Sequence, residues 1–227
     1  MKLTIMGASG LIGTKVGALL TAHGHQVVAA SRSTGADVLT GDGIGDALAG
    51  ADVLIDVTNS PSFEDDPVLE FFTTSTTNLT AAAKAAGVGH YVVLSIVGVD
   101  GLPDSGYMRA KVAQERLITA SGLPYSIVRA TQFVEFTDAI VGSMTDGDTV
   151  RVPDALIQPI SADDVAAEVV RVAVGRPING VEDIGGPEQL SFAELARHKA
   201  PDKTVVVDPD ATYFGTTLAQ TSLVVTD

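Results

Sequence analysis

The chain has 227 residues, 45% of them hydrophobic, no cysteine and a formal net charge of −14. That length supports one large α/β core, and a chain without thiols excludes disulfides and thiolate metal sites. The acidic balance, with 14 basic residues scattered and never in a run, opposes binding to a nucleic-acid backbone.

No apolar run approaches the roughly 18 residues that a membrane span needs. Met1 to Gly7 leaves no room for a signal-peptide apolar segment before a glycine turn begins. A reducing cytoplasm is the expected compartment. His23, His25, His90 and His198 show no ligand spacing, so no metal is expected.

In chain order, short β-branched runs alternate with Ala-rich helical stretches, the pattern of βαβ units around a parallel sheet. A first strand at Leu3 to Met6 leads through a glycine turn into a helix at Ile12 to Ala22. A second strand is expected at Gln26 to Ala30, a third at Asp37 to Leu39, a helix at Ile44 to Ala49 and a fourth strand at Val53 to Val57. A long helix follows at Pro67 to Ala86, a fifth strand at Tyr91 to Ser95, a helix at Ser105 to Ser121 and a sixth strand at Ser126 to Arg129. After a partial turn in Phe136 to Ser143 come a helix at Ala162 to Val174, a seventh strand at Glu182 to Ile184 and a helix at Ser191 to His198. Ser191 with Glu194 has the spacing of a capping box, and Ser161 with Asp164 a variant of it. Residues 1–198 are expected to form a nucleotide-binding domain, and 199–227 an irregular tail packed near the substrate pocket.

The turn Gly7-Ala8-Ser9-Gly10-Leu11-Ile12-Gly13 joins a strand directly to a helix. A dinucleotide site needs glycine there for a tight turn, for close approach of the pyrophosphate and for close helix packing, and the helix N-terminus then faces the phosphates. At the end of the second strand, where an acid would bond the ribose 2′-hydroxyl, the chain has Ser31 and Arg32. A guanidinium offers charge and a donor fork to a 2′-phosphate, so NADP(H) is favoured over NAD(H). Asp37 is a candidate acceptor for the adenine amino group and equally a turn residue.

Tyr107 and Lys111 lie four apart and would share one helix face. Ser95 ends the fifth strand, at the carboxyl edge where open α/β sheets bind ligands. Reducing a carbonyl takes a proton donor at oxygen. Tyr107 would supply that proton, Lys111 would ease its ionisation and hold the nicotinamide ribose, and Ser95 would bond the developing oxyanion.

Taken together, Gly7 to Gly13, Ser31-Arg32, Val53 to Asn59, Val92 to Gly98, Tyr107 to Glu115, Ser126 to Phe136, Ile160 to Ala166 and Ile184 to Leu195 resemble the short-chain dehydrogenase/reductase superfamily, in particular its atypical, NmrA-like NAD(P)-binding branch. The resemblance implies a Rossmann-type doubly wound parallel sheet of order 3-2-1-4-5-6-7 with a small C-terminal part covering the substrate. It also implies that Thr58 and Asn59 flank the adenosine, and that Ala130, Thr131 and Phe133 flank the nicotinamide. Asn78 sits where many superfamily enzymes place a proton-relay asparagine, but its setting is similar to the packing asparagine of extended members. The expected activity is NADPH-dependent reduction of a small-molecule ketone, aldehyde or quinone. A non-catalytic NADP(H)-sensing regulator and an epimerase or dehydratase are the alternatives. A homo-oligomer is compatible with the superfamily, and the sequence selects no particular state.

Overall fold

A computed structural model describes residues 1–226. Six parallel strands form the central sheet in the order β2-β1-β3-β4-β5-β9. In chain order the elements of this sheet and its helices are β1 (Lys2–Met6), α1 (Leu11–Ala22), β2 (Gln26–Ala30), α2 (Ile44–Leu48), β3 (Val53–Asp56), α3 (Asp65–Ala86), β4 (His90–Ile96), α4 (Gly106–Thr119) and β5 (Tyr125–Ala130). They continue with α5 (Thr137–Ser143), β6 (Thr145–Asp146), β7 (Thr149–Val152), β8 (Leu156–Ile157), α6 (Ala162–Val174), β9 (Val181–Ile184), β10 (Leu190–Ser191), α7 (Phe192–Lys199) and β11 (Thr204–Val207).

Both faces of the sheet are buried, as a parallel sheet requires. On one face Ile5, Ile55 and Val92 pack against Val16 and Leu20 of α1 and Val165 and Val169 of α6. On the other, Leu54, Tyr91 and Val93 pack against Leu48 of α2, Leu79 and Ala83 of α3 and Ile118 of α4. α3 begins with Asp65 and Asp66 and ends on Gly87 at φ +71, so charge favours its start and a left-handed cap closes it. Ser161 Oγ accepts from Asp164 N at 3.0 Å, and Ser191 with Glu194 closes a full capping box at the start of α7, as their spacing predicts.

One expected strand is absent. Asp37 to Leu39 is a turn in which Asp37 Oδ1 accepts from Leu39 N at 2.8 Å and the Asp37 carbonyl accepts from Gly41 N. The order 3-2-1-4-5-6-7 therefore loses its outermost member, and β2 is the edge. Asn78 Nδ2 donates to the carbonyls of Val38 and Leu39, both at 3.0 Å, and so fastens that turn to α3.

A smaller layer covers the carboxyl edge of the sheet. β7 pairs antiparallel with β6 and parallel with β11, and β8 pairs antiparallel with β10. Its core joins Ile140, Val150, Val152, Phe192, Tyr213 and Leu223. Stretches on both sides of residue 198 thus build one cover. No helix of the described residues is long and apolar enough to cross a membrane.

Candidate active site

Because the six strands run parallel, the segments after β1, β2, β3, β4 and β5 meet at one edge, with the reversal of strand order between β1 and β3. A cleft of about 1020 Å³ lies there, where ligands of open α/β sheets bind. Gly7, Ser9, Gly10, Leu11 and Ile12 line it. So do Ser31, Arg32 and Asp37; Thr58 and Asn59; Ser95, Tyr107 and Lys111; and Ala130, Thr131 and Phe133.

The glycine turn is dictated sterically. Gly7 sits at φ +86, and a Cβ there would lie 2.8 Å from the Val57 carbonyl oxygen. A Cβ on Gly13 would overlap the Gly7 carbonyl oxygen and come within 2.7 Å of Ala8 Cα. The first helical bond of α1 is Thr14 N to Gly10 O, so the amides of Leu11, Ile12 and Gly13 have no carbonyl one turn back. They open beside the cleft, which is the environment a diphosphate needs. At the other end of the cleft, Gln132 Oε1 is buried without a hydrogen-bond partner among the described residues. An acceptor left so costs about 1–3 kcal/mol unless a ligand donates to it. Free amides at one end and an orphaned acceptor at the other fit an elongated dinucleotide with a terminal carboxamide.

Arg32 is exposed at the start of a short 3-10 turn, beside Ser31, whose Oγ lies 2.8 Å from Ser33 Oγ. Thr58 bonds Asp56 through both its amide and its hydroxyl, at 3.1 and 2.7 Å. Thr131 Oγ1 donates to the Gln158 carbonyl. Phe133 stacks on Phe136 with ring centroids 5.7 Å apart.

Tyr107 donates to Asn59 Oδ1 at 2.9 Å, and its ring sits between Phe63 and Phe72 at 5.3 and 6.0 Å. Burial pushes its phenol up to about 12. Lys111 Nζ donates to the Leu94 carbonyl at 2.9 Å and to Gln114 Oε1, and lies 4.6 Å from the Phe72 ring centre. Burial pulls it down to about 8 against the pull of Asp56 and Glu115. Gln114 passes the contact on to Asp56 Oδ2 at 3.1 Å, which also accepts from Tyr91 at 2.9 Å. The lysine is therefore braced from below by an amide and a buried carboxylate, and the phenol beside it stays above its ordinary range.

Ser95 faces α4. Its Oγ donates to Glu115 Oε1 at 2.5 Å, and Glu115 Oε2 pairs with Arg129 Nη2 at 2.5 Å. Glu115 and Arg129 side chains are 8% and 14% exposed, whereas Asp100, the second partner of Arg129, is 64% exposed. Glu115→Ala is expected to lower stability by about 3 kcal/mol, because it leaves a nearly buried guanidinium with only the exposed Asp100 as partner and removes the acceptor of Ser95. Asp100→Ala should cost less than about 1 kcal/mol. Thermal melts of the two variants give the comparison, and equal shifts would show that the inner pair has no special weight. Residue types and spacing singled out neither Glu115, Gln114 nor Asp56, whose contacts with Ser95 and with each other span 20 and 58 positions; Gln132 belongs to the loop after β5 that the resemblance places beside the nicotinamide.

Residues 7–174 match the NAD(P)H-binding family. A curated relative, the (4-alkanoyl-5-oxo-2,5-dihydrofuran-3-yl)methyl phosphate reductase of Streptomyces griseus, is 30% identical over 207 residues, covering 84% of this chain and 70% of its own. Among solved structures, MoeE5 in complex with UDP-glucose and NAD has a TM-score of 0.75 at 21% identity, over 95% of this chain and 87% of its own. The NADPH-dependent quinone oxidoreductase QOR2 of Escherichia coli, complexed with NADPH, has a TM-score of 0.66 at 22% identity, over 91% and 77%. The two structures bear on the fold alone and agree with the Rossmann-type sheet. A glycine turn shaped by backbone contacts, a cleft at the switch point and a match over most of its length give one conclusion: this chain belongs to the NAD(P)H-binding family.

Proposed function

We propose that the protein is an NADPH-dependent reductase of a small-molecule ketone, aldehyde or quinone. The observation that carries this reading is a proton-bearing phenol, Tyr107, in the wall of the same cleft that the α1 amides open into. The sequence relationship to a reductase supports it.

The α1 amides would hold the diphosphate, and Arg32 with Ser31 would hold the adenosine 2′-phosphate. Asp37 has one carboxylate oxygen engaged in its own turn, so the other would meet the adenine. Thr58 and Asn59 would flank the adenosine side. Ala130, Thr131 and Phe133 would shape the nicotinamide end, and Lys111 would reach the ribose beside it. When bound, the reduced coenzyme supplies a hydride to the carbonyl carbon. Tyr107 Oη gives its proton to the carbonyl oxygen, so the C=O π bond becomes a C–H and an O–H bond, and solvent reprotonates the phenolate. Tyr107 would turn its hydrogen from the neutral Asn59 amide oxygen, whereas Ser95 would have to leave the carboxylate of Glu115, the stronger acceptor, so we assign the proton to Tyr107.

Titration with NADPH and NADH, followed by a carbonyl screen read at the nicotinamide absorbance, tests the reading. Arg32→Ala is expected to weaken NADPH about 10- to 100-fold, the loss of a charge-assisted contact, and to leave NADH unchanged. Equal effects on both coenzymes would remove Arg32 as the selector. Tight NADPH binding with no turnover of any carbonyl would favour the sensor reading instead.

A further inference from the structure

Charge is distributed unevenly along the cleft. Among the described residues, its only charged lining residues are Arg32, Asp37 and Lys111. The first two lie just beyond β2, and Lys111 is 4% exposed with its ammonium on the Leu94 carbonyl and Gln114. The part of the wall beyond Tyr107 therefore offers no cation to a ligand. In its place are Phe63, Phe136 and Phe214, which line the cleft while 68%, 51% and 59% exposed. Exposed rings lining one cleft cost hydration unless something apolar covers them.

The tail presents one of these rings by a strained device. Tyr213 and Thr216 exchange two backbone bonds, at 2.8 and 3.1 Å, around Phe214 at φ 45 and Gly215 at φ 81. A left-handed phenylalanine is disfavoured and persists only where the surroundings impose it. This tight turn points Phe214 outward and Tyr213 inward. Tyr213 is 6% exposed, packed edge-on against Phe192 at 6.0 Å and Phe214 at 4.8 Å. Its hydroxyl has no hydrogen-bond partner among the described residues. It lies close enough to Tyr107 for a phenolate on one to repel ionisation of the other. The cleft thus holds one phenol tied to Asn59 and a second that is uncommitted, whereas the hydrogen of Ser95 is taken by Glu115.

We propose that Tyr213 is the second hydrogen-bond donor to the substrate's carbonyl oxygen, and that the site takes an uncharged, flat, ring-bearing ketone. A phosphate ester, such as the relative's name specifies, would be rejected. A dianion entering this end would lose its water without gaining a partner, against the field of a protein carrying −14. The proposal rests on the reductase reading for the bond that reacts, and on the cleft itself for the charge and shape of what binds.

Calorimetric titration with 6-hydroxy-2-acetylnaphthalene and with its phosphate ester tests it, on wild type and Tyr213→Phe, each with and without NADP⁺. The ketone is expected to bind at least about 10-fold more tightly than the ester. Tyr213→Phe should weaken the ketone about 5-fold, the worth of one hydrogen bond, with NADP⁺ affinity and melting temperature unchanged. An ester that binds as well as the ketone, binding of neither, or an unaltered ketone affinity in Tyr213→Phe would overturn it. So would a lowered melting temperature in that variant, since the hydroxyl would then be bonded within the fold. Failure of NADP⁺ to bind, with the ketone preference intact, would count against the reductase reading alone.

Discussion

Gly13→Ala is expected to abolish measurable NADPH binding and to lower stability by roughly 2–3 kcal/mol. The added methyl meets the Gly7 carbonyl oxygen and Ala8 Cα, both backbone atoms, with no flexible side chain to give way. Relief requires α1 to lift from the turn, and Val16 and Leu20 of that helix are fully buried against α6. Lifting the helix also re-aims the amides of its first turn, so the phosphate site and the core fail together. Gly17→Ala is the internal control on the same helix. Its methyl would meet only Ile5 Cδ1 at 3.5 Å, an ordinary contact, and alanine is the better helix former by about 1 kcal/mol. The melting temperature should therefore fall in Gly13→Ala and rise in Gly17→Ala, and coenzyme binding should be lost in the first and unchanged in the second. A Gly13→Ala protein with wild-type melting and wild-type coenzyme affinity would mean that the turn does not hold the diphosphate.

What the sequence revealed depended on how local each determinant is. In the glycine turn Gly13 is fixed by contacts within seven residues, with Gly7 pressed also by the Val57 carbonyl just past β3, and its geometry is the expected one. β1, β2, β3, β4, β5 and β9 carry β-branched runs between helices with punctuated ends, so their existence was legible, and their order in the sheet came through the family resemblance. Asp37 to Leu39 looked like a strand by its Val-Leu pair, but Gly35, Gly41 and Gly43 around it all adopt positive φ, and an aspartate that bonds two residues ahead favours a turn. β6, β8 and β10 have two residues each, too few to show a period. β11 pairs with β7 more than 50 positions earlier, which no local pattern announces. The same distance effect hid the chemistry of Ser95. A serine at a strand's carboxyl end suggests a free donor, and only the packing of α4 on β4 brings Glu115 to accept its hydrogen bond. Tyr213 was hidden in the tail for a related reason: Tyr213-Phe214-Gly215 reads as a break in periodicity, and its inward ring is fixed by Phe192.

Tyr107→Phe is expected to reduce turnover with NADPH by roughly a hundred- to ten-thousand-fold, the usual worth of a positioned general acid, and to leave coenzyme affinity within about two-fold. The ring stays where it is, held between Phe63 and Phe72. Asn59 Oδ1 still accepts from Ser60 N at 2.9 Å, so the loss of the hydroxyl strands no buried acceptor and stability should change by less than about 1 kcal/mol. The pH dependence separates the phenol from its neighbour. With the phenol held at about 12, Tyr107 carries its proton throughout the neutral range and contributes no inflection there. Lys111, at about 8, is charged below that pH and neutral above it. The wild-type reduction rate should therefore hold level on the acid side and decline as pH rises through about 8. Lys111→Met should show a lower rate without that inflection. Unchanged turnover in Tyr107→Phe would place the acid elsewhere. A decline near pH 8 that survives Lys111→Met would show that another group titrates, and the braced ammonium would then be a structural feature of α4.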